Sequence, residues 1–115
     1  MSIIDSYWLN KPKGNTNLYF AYGSNINQDQ MAFRCSDSSP AALAYVQNFK
    51  FIINEIGVAT IIPASGSVVQ GVLWQVSKSD ENQLDIYEGV SSNLYTKESC
   101  NVSVGDENID ALVYI

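Results

Sequence analysis

Apolar, aromatic and β-branched residues fall into short runs, each cut off by Gly, Asn, Ser or Pro, and this punctuation sets the tightest limit on the fold. Residues 18–22 (Leu-Tyr-Phe-Ala-Tyr) lie between Asn17 and Gly23 and read as a buried strand. Residues 41–53 predict one bent strand or two short ones. Residues 57–63 and 68–76 are both β-rich. The breaker stretch Ala64-Ser65-Gly66-Ser67 between them predicts a hairpin, and Gly71 predicts a bulge or a close backbone approach. Residues 95–104 and 109–115 predict two more strands, joined through Gly105-Asp106-Glu107-Asn108. Helical signals are fewer. Asn27 caps a short helix from Gln28 to about Arg34, with Met31 and Phe33 or Arg34 near one side. Ser77 or Ser79 caps a second helix from about Asp80 to Glu88, with acids in its first turn and Gly89 just past its end. Leu84 and Tyr87 are three apart on it and are expected to face the core. Five to seven strands with two short helices, and no regular βαβ alternation, predict an α+β domain: a small antiparallel or mixed β-barrel with helices at its rim.

A chain of 115 residues fits one domain, and 46% hydrophobic residues suffice for a core. Residues 1–16 end in the polar run Lys11-Pro12-Lys13-Gly14-Asn15-Thr16 and read as a loosely attached leader; residues 17–115 form the domain. Trp74 reads as core, whereas Trp8, in the leader, has no evident role. The sequence contains no His, which removes His bases, His triads and most catalytic zinc sites. Cys35 and Cys100 are too few for a metal cluster. They pair as one disulfide or stay as free thiols, and the lack of a secretory segment favours thiols. No metal or cofactor is expected. The net charge is −6, and Asp80, Glu81, Asp85, Glu88, Glu98, Asp106, Glu107 and Asp110 face only Lys97 across that stretch. Nucleic acid and anionic membranes are therefore poor partners. With no apolar run long enough to span a bilayer, a soluble cytoplasmic protein is expected. Oligomeric state is left open.

Two places carry candidate chemistry. Tyr22-Gly23-Ser24-Asn25 follows the first strand. A Gly there lets a ligand approach the backbone, and successive N–H groups of Gly23, Ser24 and Asn25 make an anion nest. An ordinary strand-to-helix turn capped by Asn25 or Asn27 satisfies the same pattern. Glu88 sits at a helix C-terminus, where the macrodipole and partial burial both favour its protonated form. That suits a general base, and equally a surface carboxylate at a fraying helix end. Asp85 reads as a second acid or a solvated helix residue. Tyr19, Tyr22, Tyr45, Tyr87, Tyr95 and Tyr114 offer hydroxyls to a pocket or ring area to the core.

In this order the motifs resemble the γ-glutamylcyclotransferase-like superfamily, which includes the plant AIG2-like proteins. The opening strand and loop Leu18-Tyr19-Phe20-Ala21-Tyr22-Gly23-Ser24-Asn25 is similar to the family's substrate loop. Phe33-Arg34-Cys35 is similar to its Arg-Cys turn. Residues 57–61 and 69–74 resemble its central hairpin. Leu84-Asp85-Ile86-Tyr87-Glu88-Gly89-Val90, with Tyr95 after it, is similar to the segment bearing its catalytic glutamate. The resemblance implies an enzyme that cyclises a small γ-glutamyl compound to 5-oxoproline and releases an amine or amino acid, without metal or cofactor. It implies Glu88 as general acid/base, Gly23, Ser24 and Asn25 as backbone donors to the glutamyl group, Tyr22 shaping the pocket, and Tyr95 and Tyr114 lining or closing it. Many members continue past the segment matched by Val113-Tyr114-Ile115 into a stretch packed near the pocket. Ending at Ile115 leaves that side open, which favours the alternative: a non-catalytic protein on the same fold that sequesters a small anionic ligand.

Overall fold

The computed structural model describes Trp8, Leu9, Gly14 and residues 16–115, apart from the side chain of Ser24. Most of the leader stretch thus lies outside the described residues. Five strands form a closed barrel: β1 (Asn17–Ala21), β2 (Ser39–Ile53), β3 (Ala59–Val76), β4 (Lys97–Val104) and β5 (Glu107–Tyr114). Their order around the barrel is β1-β3-β2-β4-β5. All neighbours are antiparallel except β5 and β1, which close the barrel in parallel with Tyr19 opposite Leu112. Two helices, α1 (Gln28–Arg34) and α2 (Lys78–Tyr87), pack outside it.

β1 shows why this sequence closes in two layers. Side chains alternate across a strand. Phe20 packs inward with Leu73, Val46, Val102 and Val113, and Leu18 and Tyr22 join from the same face. Tyr19 and Ala21 face the other way and pack with Met31 and Cys35 of the α1 region, Leu84 of α2, Trp74 and Tyr114. A strand covered on both faces reads as a continuous apolar run, as residues 18–22 do. Fully burying Phe20, Leu73 or Leu84 contributes about 1.5–3 kcal/mol each. Trp74 is core, as its context suggested. Trp8 also belongs to the inner cluster: it bridges to Ala42, and the Leu9 N–H donates to the Ala41 carbonyl at 2.7 Å.

The hairpin expected around residues 64–67 does not exist. Residues 59–76 are one strand, and its partner throughout is β2, from Ser39↔Gln75 to Ile53↔Ala59. Residues 57–61 and 69–74 are therefore not two arms of a hairpin. The breaker stretch is a bulge: Gln47 faces Val68 and Phe49 faces Pro63, so the residues between lie opposite Asn48 alone. Gly66 (φ 83°) and Asn48 (φ 66°) take left-handed conformations, and the Asn48 Oδ1 accepts the Gly66 N–H at 3.1 Å. The actual turn is Asn54 to Val58. There the Asn54 Oδ1 accepts the N–H groups of Ile56 and Val58, and Gly57 supplies φ 83°.

Other boundaries lie close to expectation. Asn27 caps α1, its Oδ1 accepting the Gln30 N–H. Ser77 opens α2 in a capping box with Asp80. The fourth strand begins at Lys97, not Tyr95, and Gly105 (φ 57°) starts the turn into the fifth. Of the side chains assigned to the core, Leu84 is buried but Tyr87 is half exposed; Phe33 points outward. Cys35 and Cys100 are free thiols.

Candidate active site

A cavity of about 390 Å³ opens where the two packing layers meet. Its walls come from five places in the chain: Tyr19, Tyr22, Gly23 and Asn25; Val58 and Ala59; Tyr87 and Glu88; Leu94 and Tyr95; and Tyr114. Most of the residues singled out from the sequence converge on it. Glu88, Tyr22, Gly23, Asn25, Tyr95 and Tyr114 all contribute. Ser24 starts a 3-10 turn, Ser24–Ile26, between the cavity-lining Gly23 and Asn25.

The loop is built by its own bonds. The Gly23 carbonyl accepts the Ile26 N–H at 3.1 Å, which turns the chain off the strand. A Cβ at Gly23 would meet nothing within 4 Å, so this backbone borders open space. Asn25 is 2% exposed. Its amide donates to the Tyr19 hydroxyl at 3.0 Å, and its Oδ1 accepts from the Arg34 guanidinium. The Asn25 side chain thus holds the loop in shape.

Glu88 owes its position to the end of α2. Its N–H still donates to the Leu84 carbonyl at 2.8 Å. Gly89 then takes a left-handed conformation (φ 64°) and ends the helix, and its carbonyl accepts from Ser92 and Leu94. The carboxylate is therefore presented at the cavity instead of along the helix surface. Burial pushes its pKa up to about 7, and the nearby Arg34 charge opposes that rise. A carboxyl group that ionises near neutrality can both take and return a proton.

The tyrosines have fixed tasks. The Tyr22 hydroxyl donates to the Tyr114 carbonyl, and the Tyr22 ring meets Phe51 edge-on at 6.3 Å. The Tyr95 hydroxyl donates to the Ala59 carbonyl. These contacts hold the β2–β3 hairpin against the cavity as a wall. Burial raises the Tyr22 pKa to about 12 and also raises that of Tyr95, so both hydroxyls stay neutral donors. Tyr114 lines the cavity with its ring while its hydroxyl donates to Asp85 at 2.7 Å. Asp85 is therefore not a solvated helix residue: it also accepts from Lys97 at 3.1 Å, and Lys97 pairs with the buried Glu81 as well.

Sequence reasoning missed three contributors. Val58, Ala59 and Leu94 became walls only because the hairpin and the turn after α2 fold over the site. Arg34 is read from the sequence as the end of a short helix and part of an Arg-Cys turn, with no site role. Its guanidinium lies 3.6 Å from the Tyr87 ring centroid. Its place in the last turn of α1, shortly after the loop, is the available signal. Among the described residues, no cluster of His, Cys, Asp and Glu is placed to hold a metal ion, and no helix is long and apolar enough to cross a membrane.

The chain is 35% identical over 101 residues to a gamma-glutamylcyclotransferase of Mus musculus, a match covering 79% of this chain and 54% of the relative. The corresponding Homo sapiens protein is 35% identical over 94 residues, covering 73% and 50%. The chain thus spans about half the length of the curated relatives it matches. Among solved structures, a gamma-glutamyl cyclotransferase superposes with a TM-score of 0.82 at 32% identity, over 87% of this chain and 66% of that one. An Arabidopsis thaliana protein shares the fold at 19% identity, with a TM-score of 0.71 over 88% and 68%. The family model for "Gamma-glutamyl cyclotransferase, AIG2-like" matches residues 19–115, from the first barrel strand through both halves of the cavity, and the chain belongs to that family.

Proposed function

We propose that the protein is a γ-glutamyl cyclotransferase: it closes the γ-glutamyl group of a small compound to 5-oxoproline and releases an amine or amino acid. The observation that carries this reading is the convergence of Glu88, ionising near pH 7, with the Tyr22–Asn25 loop on one cavity. Backbone N–H groups of Gly23, Ser24 and Asn25 bind the glutamyl moiety, with Tyr22, Tyr95 and Tyr114 shaping the space around it. The attack is intramolecular, so holding the chain curled supplies most of the advantage.

Proton accounting requires one versatile group. The α-ammonium must lose a proton before its nitrogen can attack the γ-carbonyl. The new N–C bond forms, the old C–N bond breaks, and a second proton leaves the attacking nitrogen. The departing nitrogen takes up two. Glu88 alternates as base and acid between these nitrogens, which a carboxyl group tuned near neutrality can do. Tyrosines, Asn25 and apolar side chains surround the exchange.

Purified protein incubated with a panel of γ-glutamyl dipeptides and amines is expected to release 5-oxoproline, and E88Q is expected to stop it. Tight calorimetric binding across the panel without 5-oxoproline would overturn the catalytic assignment.

A further inference from the structure

The two halves of the site are far apart in sequence, and one side chain touches both. Arg34 ends α1, the helix that follows the loop. On one side its guanidinium donates to the Oδ1 of the buried Asn25, whose amide is in turn fixed by Tyr19. On the other it lies over the Tyr87 ring, 3.6 Å from the centroid, and Tyr87 immediately precedes Glu88 and lines the cavity beside it. A planar cation suits this place: it stacks on a ring and donates in its own plane at once, which an ammonium cannot do. Arg34 is not among the cavity walls; it lies in an outer groove with Asp29, Gln30, Phe33 and Tyr87.

We propose that Arg34 is the positioning residue of this site: it clamps the Asn25 end of the loop to the Tyr87–Glu88 end of α2 and lends its positive charge to the Glu88 carboxylate. The proposal rests on the cyclotransferase reading for its consequence in turnover, but not for its physical content. Among the described residues, the groups whose charges meet Glu88 are Tyr19 and Tyr22 from β1 and its loop, Tyr95 before β4, and Arg34 from α1. The three tyrosines stay neutral near pH 7 because burial raises all their pKa values. Arg34 is the partner that favours the ionised carboxylate, against the burial that disfavours it. Loss of this cation moves the ionisation of Glu88 upward; loss of the clamp lets loop and base drift apart.

The test has two readouts. The first is a carbon-13 NMR titration of the Glu88 carboxyl in protein labelled at glutamate, assigned by the resonance missing in E88Q. The second is the pH dependence of kcat/KM for 5-oxoproline release. In R34Q the NMR midpoint and the acid limb of the profile are both expected to rise by about 1 unit. R34K keeps the charge but not the planar clamp, so its midpoint should stay near that of the wild type while KM rises about tenfold. An unmoved NMR midpoint in folded R34Q overturns the proposal, as does R34K indistinguishable from wild type in KM. If R34Q does not fold, R34M removes the charge while keeping an apolar stem over the Tyr87 ring and must shift the midpoint the same way; no shift overturns the proposal. Wild type that releases no 5-oxoproline, with the R34Q midpoint still displaced, refutes the cyclotransferase reading and leaves the Arg34–Glu88 coupling standing.

Discussion

Burial of Glu88 makes stability depend on pH, and the dependence is measurable. In the folded chain Glu88 keeps its proton to about pH 7, against an ordinary value of 4.5. Between these values the native state binds more protons than the unfolded chain, so its contribution to stability falls as pH rises through that window. E88Q carries no ionisable group there. It is expected to gain roughly 1–2 kcal/mol over wild type at pH 8, after allowance for partial solvent screening, and nothing at pH 4. Thermal unfolding of both proteins at the two pH values checks this; an equal difference at both would show that the carboxylate is not destabilised by burial. Gly23 is the complementary case. Its missing side chain faces open space, so G23V should fold with stability within about 0.5 kcal/mol of wild type. The added methyls would occupy the approach to the loop backbone. Calorimetric titration with a γ-glutamyl amine should show affinity reduced at least about tenfold, and unchanged affinity would place the ligand elsewhere.

At the level of elements, α2 is legible because its signals are local. Ser77 and Asp80 satisfy each other's backbone N–H groups, and Gly89 stops the helix one residue after Glu88. The same stop turns Glu88 toward the cavity. A Cβ at Gly89 would lie 3.0 Å from the Leu94 Cβ, and φ 64° is costly for any residue bearing one. G89A is therefore expected to lose about 1–2 kcal/mol, and to lower kcat more than that loss of folded protein explains, because both Leu94 and Glu88 line the cavity. Denaturant unfolding beside a rate assay separates the two effects. The β2–β3 unit was less legible for a physical reason. Gly66 and its neighbours have turn composition, but a long-range bond from Asn48 converts that stretch into a bulge. The true turn, at Asn54-Glu55-Ile56-Gly57, is closed by side-chain to backbone bonds from Asn54. Both segments offer Gly and polar residues; only the pairing partner decides which one reverses the chain.

For the whole molecule, the barrel depends on how near β1 comes to β3. A Cβ at Gly71 would lie 2.3 Å from the Ala21 carbonyl oxygen and 2.8 Å from the Phe20 ring. G71A must therefore push apart strands that hold the loop after Ala21, and a cost of at least about 3 kcal/mol is expected, in line with severe overpacking. Circular dichroism melts would show it, and an unchanged melting temperature would mean that the barrel opens there without penalty. A Gly inside a β-rich run predicts a bulge or a close approach; the structure shows the approach, and Ala21 and Phe20 are what comes near. Local patterns in the sequence carry the β-rich class, the Asn27 cap, the buried first strand, and the loop and carboxylate that line the cavity. These depend on propensity, alternation and neighbours a few residues away. The closed barrel settles the rest: residues 59–76 are one strand, Trp8 enters the core, Asp85 is held by Tyr114 and Lys97, and Arg34 bridges Asn25 of the loop and Tyr87 of α2. Each of these depends on a partner tens of residues distant or on another element of the fold, and no local pattern encodes which partner the closed barrel will supply.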